Sequence, residues 1–270
     1  MGARPITFLS DYGYDDEFAG LCRAVIARIA PDALVIDLTH GIERHAVEHG
    51  AAVLANALPY VPAGIHLAVV DPGVGSPRRA VAVRAATEDR ILVGPDNGLL
   101  WPAIERLGGG LAAADVSVSP FRLEPVSATF HGRDLFAPVA ARLAAGATLE
   151  DAGEAIDAAS LVAPEASAPV VEEGHVRAHV VYVDRYGNAA LDVDHSMLPG
   201  TGLRLGRRAW VGAGGITLDA VYSVTFSDVS PGQLILYEDS YRSLALAVNR
   251  GSAAEVLDLS AGVEVTLRPV

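Results

Sequence analysis

The stretch VVDPGVGSPRR, which spans Val69–Arg79, sets the organisation of the chain around it. It closes an apolar run that has the length of a buried strand. The Asp-Pro-Gly that follows predicts a tight turn, because proline fixes its φ and glycine tolerates a positive one. Asp71 is therefore expected at the edge of a sheet, where Arg78 or Arg79 can return through the loop to face it. The alternative is a loop in which the aspartate caps its own turn and both arginines are solvated.

Composition places the chain among globular proteins with a large core. Of the 270 residues, 51% are apolar and 20% are charged, which suits one large domain or two modest ones. No apolar run reaches the ~18–20 residues that cross a bilayer. The N-terminal sequence MGARPITFLSDYG lacks the apolar segment of a secretory signal. We therefore expect a cytoplasmic protein.

Charge and residue usage exclude several kinds of chemistry. The formal net charge of −13 disfavours nucleic acid as a partner, since phosphate binding needs a basic face. All 20 basic residues are arginines, so a P-loop lysine, a pyridoxal Schiff base and a lysine nucleophile are impossible. The single cysteine, Cys22, excludes a disulfide within the chain and a cysteine-rich zinc site, and it suits the core.

The first half of the chain alternates apolar runs of strand length with helical periodicity. This pattern predicts an α/β domain with a mostly parallel sheet. The predicted strands are Ile6–Leu9, Ala33–Leu38, Ile65–Val70, Ala80–Val83 and Ile91–Val93. The predicted helices are one capped by Asp15 or Asp16 with Phe18, Leu21, Cys22, Val25 and Ile29 on one face, and then Val47–Leu58, Leu99–Leu107 and Leu135–Ala145.

The second half is built of short alternating runs punctuated by turn residues. This texture predicts an antiparallel β-barrel or sandwich. The predicted strands are His175–Val183, Ala189–Val193, Leu203–Leu205, Ala220–Phe226, Leu234–Tyr237 and Val263–Leu267. A segment rich in Ala, Pro and Glu separates the halves, so we predict an α/β domain over residues 1–160, a linker over 161–174 and a β-barrel domain over 175–270.

Polar residues follow the predicted parallel strands at the point where each strand ends. They are Asp11, Thr39-His40, Asp71 and Asp96-Asn97. Ligands of open α/β sheets bind at the carboxyl ends of the strands. We therefore expect these side chains to lie near one another and near a ligand.

Six motifs occur in order along nearly the whole chain. They are SDYG at Ser10–Gly13, VVDPGVGSPRR, GPDNGLL at Gly94–Leu100, FHGRD at Phe130–Asp134, VDRYGN at Val183–Asn188, and Ser240 followed by LALAVNRGSA at Leu244–Ala253. In this combination the chain resembles the S-adenosyl-L-methionine hydroxide adenosyltransferases, which are relatives of the fluorinase and chlorinase. Any one of these motifs alone would be weak evidence for the resemblance.

The resemblance implies a fold, an assembly and a reaction. Members have an α/β N-terminal domain and a β-barrel C-terminal domain, and they form trimers in which the substrate lies between neighbouring subunits. They hydrolyse S-adenosyl-L-methionine to adenosine and L-methionine without a metal or another cofactor. An Asp–Arg–His set carries the reaction, and it maps onto Asp71, Arg78 and His131. The departing thioether is neutral, so a nucleophile aligned with C5′ on the side opposite the sulfur suffices.

The resemblance also implies a set of substrate-binding residues. Asp11 would take both ribose hydroxyls, Asp184 the methionine ammonium and Ser240 its carboxylate. Asn188 and the backbone from Val248 to Arg250 would contact the adenine. The other positions carried over are Asp16, His45, Tyr186 (phenylalanine in many relatives), and Phe130 and Phe226 as apolar walls or simply as core packing.

Three alternatives compete with the hydrolase. The halogenase relatives carry a tyrosine at position 71, a threonine at 74 and no histidine at 131, whereas a carboxylate at 71 repels a halide and orients water. A zinc hydrolase is suggested by His45-Ala46-Val47-Glu48-His49, which matches the pattern H-x-x-E-H, but three fixed positions are a weak signal, no other element supports it, and a solvated helix start explains it. A non-catalytic module that binds S-adenosyl-L-methionine or adenosine is the third, and the presence of all three members of the Asp–Arg–His set speaks against it.

Overall fold

The computed structural model describes residues 2–164 and 168–270. The chain divides into two compact units, Met1–Pro164 and Glu165–Val270. This boundary lies inside the predicted linker, of which residues 165–167 lie outside the described part. No helix in the described ranges is long and apolar enough to cross a membrane.

The first unit is a seven-stranded sheet covered by helices on both faces. Its strands are β1 (Ile6–Ser10), β2 (Val35–Thr39), β3 (Ile65–Val69), β4 (Ala80–Ala85), β5 (Ile91–Pro95), β6 (Gly110–Asp115) and β7 (Glu154–Ile156). Its helices are α1 (Phe18–Ile29), α2 (Val47–Ala57), α3 (Trp101–Arg106), α4 (Ala137–Ala144) and α5 (Leu149–Ala152). One core packs between the sheet and α1 and α4, and the other between the sheet and α2 and α3.

The strand order places the ends of four strands at one edge. The order is β2-β1-β3-β5-β4-β6-β7, and the pairs among β2, β1, β3 and β5 are parallel. Ser10 aligns with Val69 across β1 and β3, so Asp11 and Asp71 both leave the sheet at the same edge. This confirms the predicted α/β fold with a parallel-rich sheet, although β4, β6 and β7 continue it through three antiparallel pairs.

Three local predictions in the first unit are wrong. α1 begins without a side-chain cap: its N-cap residue is Glu17, and neither Asp15 nor Asp16 bonds to the helix start. Its buried face is Ala19, Cys22, Val25 and Ile26, whereas Phe18 and Leu21, which were predicted on that face, are 38% and 37% exposed. The helix predicted over Leu135–Ala145 starts earlier, with a π-helical turn over Gly132–Phe136 that leads into α4.

The second unit is a closed barrel of seven strands with one further strand at its side. The strands are β8 (Val170–Glu172), β9 (His175–Val183), β10 (Ala189–Asp194), β11 (Arg208–Ala213), β12 (Ile216–Tyr222), β13 (Leu234–Glu238), β14 (Ser243–Val248) and β15 (Glu264–Pro269). A short helix, α6 (Ala253–Leu257), connects β14 to β15. Pairing of β10 with β9 closes the ring β10-β14-β13-β12-β11-β15-β9, and β8 adds to β9. The barrel is antiparallel except for the β12–β13 pair.

The predicted barrel needs three corrections. Leu203–Leu205 is not a strand, because the segment folds into turns around three glycines with positive φ, Gly200, Gly202 and Gly206. The strand predicted over Ala220–Phe226 ends at Tyr222, and Phe226 lies in a 3₁₀ turn closed by a Thr225–Asp228 capping box. Part of the predicted linker is strand β8, while β11 and β14 were not predicted.

Candidate active site

Asp71, Arg78 and His131 form one hydrogen-bonded cluster at the carboxyl edge of the first sheet. Arg78 Nε donates to Asp71 Oδ1 at 2.8 Å, and Arg78 Nη2 donates to Asp71 Oδ2. The same Nη2 lies 3.0 Å from His131 Nδ1. The side chains of Asp71 and Arg78 are only 7% and 11% exposed, so this is a partly desolvated ionic pair of the strong, two-bonded kind.

The loop after β3 is shaped to return Arg78 to Asp71. Val74 N donates to Asp71 O and Ser76 N to Gly73 O, which makes two successive turns. Gly75 has a φ of +78°, and a Cβ there would lie 2.8 Å from Ala128 O, so a side chain fits neither the conformation nor the space. Asp71 is thus paired with an arginine, and the alternative of solvated arginines is wrong. Arg79 instead bonds Asp96 Oδ2 at 2.8 Å.

The bond from Arg78 fixes the protonation state of His131. A guanidinium has no acceptor, so His131 Nδ1 must accept and must be unprotonated. Burial and the adjacent Arg78 charge lower the pKa of His131, which agrees with a neutral ring. The ring proton is therefore on Nε2, and His131 offers its site a hydrogen-bond donor.

The turn after β1 holds Asp11 beside the loop that carries His45. Asp11 Oδ2 accepts from His45 N at 3.1 Å. Behind Asp11, the buried Ser10 hydroxyl accepts from Tyr12 N at 3.3 Å and lies 2.7 Å from His40 Nδ1. These bonds to Ser10 fix the backbone of the turn. The Asp11 carboxylate accepts one bond from the described residues, so it keeps lone pairs for a ligand. Asp16, by contrast, is exposed and makes no hydrogen bond or ion pair with a described residue.

Phe130 is a core residue in this structure. It is 9% exposed, and its ring packs 5.1 Å from that of Phe18 and 5.8 Å from that of Tyr12. The Arg133 guanidinium lies 5.0 Å over its ring. Of the two readings given by the sequence, core packing is the one observed within the first unit.

The barrel carries a separate pocket of about 220 Å³. Four predicted binding residues, Asp184, Asn188, Phe226 and Ser240, line it together with Tyr182, Ala190, Tyr237, Asp239, Tyr241 and Ala245. The strand register explains its shape, because Tyr182, Ala190, Ala245 and Tyr237 are consecutive cross-strand partners on β9, β10, β14 and β13. Two small residues between two tyrosines leave a depression with aromatic walls.

The polar groups at the pocket rim are partly used by their own turns. Asp184 Oδ1 accepts from Tyr186 N and Asn188 N at 2.8 and 2.9 Å, and Asp184 Oδ2 accepts from Asn188 Nδ2 at 2.8 Å. The Asn188 amide is thereby oriented, and its oxygen accepts no hydrogen bond from a described residue. Burial, together with nearby carboxylates, raises the pKa of Tyr182 to about 12, so this phenol is a neutral donor.

The remaining predicted residues of the barrel lie outside this pocket. Tyr186 is 67% exposed beneath the Arg185 guanidinium. Val248 is buried at the end of β14, and its carbonyl accepts from Gly251 N at 3.0 Å. Arg250 is exposed, with a φ of +59°. The pocket tyrosines were missed because only the cross-strand register, and not their spacing in sequence, brings them together.

The structure does not support a zinc site at the H-x-x-E-H pattern. His45 lies before α2 and has a φ of +68°, so it does not share a helix face with His49. Among residues 2–164 and 168–270, no three His, Cys, Asp or Glu side chains are grouped so that they could hold a metal. The geometric premise of that alternative is therefore wrong.

An ionic Asp–Arg–His cluster on an α/β unit, followed by a β-barrel with an aromatic pocket, defines a two-domain enzyme class with a small-molecule site. Residues 6–153 match the SAM hydroxide adenosyltransferase N-terminal domain, and residues 178–266 match the C-terminal domain of the same name. The chain belongs to the SAM hydroxide adenosyltransferase family.

Individual relatives agree with this assignment. An (R)-S-adenosyl-L-methionine hydrolase of Salinispora tropica is 46% identical over 259 residues, which cover 95% of each chain. A fluorinase of Nocardia brasiliensis is 28% identical over 294 residues, covering 99% of this chain and 98% of the fluorinase. A crystal structure of an uncharacterized conserved protein from Thermotoga maritima has a TM-score of 0.90 at 34% identity, covering 97% of this chain and 99% of that one.

Proposed function

We propose that this protein hydrolyses S-adenosyl-L-methionine to adenosine and L-methionine. The observation that carries the proposal is the hydrogen-bonded Asp71–Arg78–His131 cluster. The halogenase alternative has less support, because the fluorinase relative is 28% identical and the hydrolase relative 46%. A buried carboxylate at position 71 also disfavours an attacking halide.

In this proposal, each member of the cluster has a part in the attack of water. The Asp71 carboxylate accepts one proton of the water, since each of its oxygens keeps a lone pair beyond those bonded to Arg78. His131 donates from Nε2 to the water oxygen and so aims its remaining lone pair. Arg78 stays charged throughout, and its bonds orient the Asp71 carboxylate and lock the histidine tautomer.

The bonds formed and broken balance without a cofactor. The water oxygen bonds to C5′ while the C5′–S bond breaks, and its electron pair returns to the sulfonium sulfur. The products are adenosine, neutral methionine thioether and one proton, which passes to Asp71 and then to solvent. A neutral leaving group needs neither acid nor metal assistance, so we propose a metal-free reaction.

Binding is assigned to Asp11 and the barrel pocket. Asp11 would hold the ribose hydroxyls, while the pocket lined by Asp184, Asn188 and Phe226 would hold the rest of the substrate. We further propose a homotrimer in which the pocket of one subunit serves the cluster of its neighbour. The cytoplasmic location stays a prediction.

The relatives' name specifies the R form of S-adenosyl-L-methionine, and we extend that preference to this chain. Pure R and S epimers, assayed separately, should differ in kcat/KM in favour of R. Equal kcat/KM for both epimers would contradict the preference without touching the reaction.

The reaction is tested with oxygen-18 water. The label should appear in the 5′-hydroxyl of adenosine, and added chloride should yield no chlorinated nucleoside. Unlabelled adenosine, or Asp71→Ala with wild-type turnover, would overturn the mechanism.

The shared site is tested by mixing a variant without turnover and a variant that binds substrate weakly. Asp71→Ala and Phe226→Ala/Asp184→Ala proteins, unfolded and refolded together and assayed at a substrate concentration far below KM, should exceed the activity of either protein alone if a site draws on two subunits. A monodisperse monomer with full activity, or a mixture no better than its components, would contradict the shared site.

A further inference from the structure

Tyr12 places a hydroxyl beside the catalytic cluster that the proposed mechanism does not use. A Cβ built on Gly132 would overlap the Tyr12 hydroxyl oxygen and lie 2.9 Å from Cζ. Gly132 directly follows His131, which belongs to the cluster. The phenol oxygen therefore occupies the space that a side chain at position 132 would otherwise fill.

The ring of Tyr12 is held in this place by aromatic neighbours on three elements. Its centroid lies 5.8 Å from that of Phe130, 6.0 Å from Phe18 and 6.5 Å from Phe8. Its backbone is tied to Ser10 through the turn after β1. The hydroxyl consequently has a fixed position and does not swing with a mobile side chain.

The hydroxyl carries its proton and has no hydrogen-bond partner among the described residues. Burial raises the pKa of the Tyr12 phenol well above its usual range, and the charges of Asp11 and Asp71 raise it further. In the part of the chain that the structure describes, the hydroxyl makes no hydrogen bond. A fixed and largely buried donor of this kind is costly unless water or a ligand satisfies it.

We propose that the Tyr12 hydroxyl hydrogen-bonds the attacking water and so acts as a further positioning group of the reaction. This inference rests on the proposed hydrolysis. It gives the water a contact on the Gly132 side of the cluster, in addition to Asp71 and His131. Gly132 is then required because it leaves room for the phenol oxygen.

The first test removes the hydroxyl alone. Tyr12→Phe keeps the ring contacts, and we expect kcat to fall by roughly threefold to tenfold, the effect of one hydrogen bond, with KM within about twofold. Tyr14→Phe is the matched control, since Tyr14 is 68% exposed two residues further on and should keep wild-type kcat.

The second test moves the hydroxyl to residue 132. Tyr12→Leu/Gly132→Ser clears the ring and projects a serine hydroxyl toward the same space, whereas Tyr12→Leu/Gly132→Ala has the same backbone without the hydroxyl. The serine variant should exceed the alanine variant in kcat by about the factor lost in Tyr12→Phe, at equal Tm.

The outcomes separate this inference from the function beneath it. Wild-type kcat in Tyr12→Phe, or equal kcat in the serine and alanine variants, overturns the role of Tyr12 and leaves the hydrolase standing. A wild-type protein that releases no adenosine from either epimer overturns the hydrolase and this inference with it. A loss in Tyr12→Phe that the relocated serine restores supports both.

Discussion

The cluster on the first unit and the pocket on the barrel use their polar groups in opposite ways. At the cluster, both oxygens of Asp71 are paired with Arg78, and both side chains are nearly buried. At the pocket, Asp184 is bonded to its own turn and Phe226 is 41% exposed. The first region is a preformed charged group at a sheet edge. The second is an aromatic depression whose charges shape loops.

This difference predicts a division of labour between turnover and affinity. Preorganised charges act on the transition state, so changes at the cluster should lower kcat. Aromatic walls bind ground state and transition state alike, so changes at the pocket should raise KM and leave kcat alone. Values of kcat and KM measured on variants of each region therefore test this division of labour.

The largest effect is expected from Arg78→Lys. Lysine keeps the charge but cannot bond both Asp71 oxygens and the His131 nitrogen at once, so the cluster loses its geometry. We expect kcat to fall by roughly 100-fold or more while KM changes little, as measured by adenosine release. Adding His131→Ala should cost little more, because the residues act as one unit.

The matched control lies on the barrel. Arg208 also bonds an aspartate, Asp219, through two nitrogens, but it is 64% exposed. Arg208→Lys should therefore keep wild-type kcat and KM. A similar loss in both variants, or none in Arg78→Lys, would refute the special role of the cluster.

The next effect concerns Asp11, which leaves the sheet at the same edge as Asp71 but is assigned to binding. Asp11→Ala should raise KM for S-adenosyl-L-methionine by roughly 10- to 100-fold, because charge-assisted bonds to ribose hydroxyls are lost. Discrimination against the 2′-deoxy substrate should collapse at the same time. Asp15→Ala removes an exposed acid from the same loop and should change neither quantity. If wild type and Asp11→Ala treat the deoxy substrate alike, Asp11 does not bind the ribose.

A smaller effect is expected at the barrel pocket. The Phe226 ring packs 5.2 Å from that of Tyr237 and forms one pocket wall. Phe226→Ala should raise KM by about tenfold through lost aromatic contact, with kcat unchanged. Trp210→Ala, which removes a 45% exposed aromatic residue from β11, is the control. A fall in kcat at constant KM would show that the pocket takes part in the chemistry.

The same two regions differ in how far the sequence could predict them. The Asp71–Arg78 pair follows from a strand, a tight turn and a short return, all of which are local. His131 stands 53 positions beyond Arg78, and its place beside the arginine depends on how the π-helical turn packs. Only the family resemblance pointed to it.

The barrel pocket was harder because it depends on strand register. Tyr182 and Tyr237 meet across two intervening strands, and one of these, β14, was not predicted. β14 is buried at five of its six positions, so it lacks the alternation by which a half-exposed strand is recognised. The tyrosines could not be placed without it.

The last prediction contrasts the histidines of the two units. In the first unit, His66 is fully buried between Thr7 and Arg90, with Nδ1 2.8 Å from the Thr7 hydroxyl and Nε2 3.1 Å from Arg90 Nη1. Burial and the nearby arginines lower the pKa of His66 to about 3. On the barrel, His179 lies 3.0 Å from the Asp192 carboxylate and is 25% exposed. Acid should therefore destabilise the first unit through His66.

The direction of this pH dependence of stability follows from proton binding by the unfolded chain. Above about pH 6.5 the histidine is neutral in both states, so its contribution is complete. Below about pH 6.5, and down to about pH 3, only the unfolded chain takes up the proton, and stability falls with pH. Between about pH 7 and about pH 4.5 this group alone should remove roughly 2–3 kcal/mol from the free energy of unfolding.

Each unit contains one tryptophan, Trp101 in the first and Trp210 in the second, so fluorescence can report on them separately. In a Trp210→Phe background, urea unfolding followed through Trp101 should show the acid loss, and His66→Gln should reduce it by about 2–3 kcal/mol relative to its own stability at about pH 7. His179→Gln in the same background should leave the loss unchanged, because that ring belongs to the other unit. An acid loss of equal size in the His66→Gln protein would mean that groups other than His66 cause it. A larger loss seen through Trp210, measured in a Trp101→Phe background, would reverse the contrast between the two units.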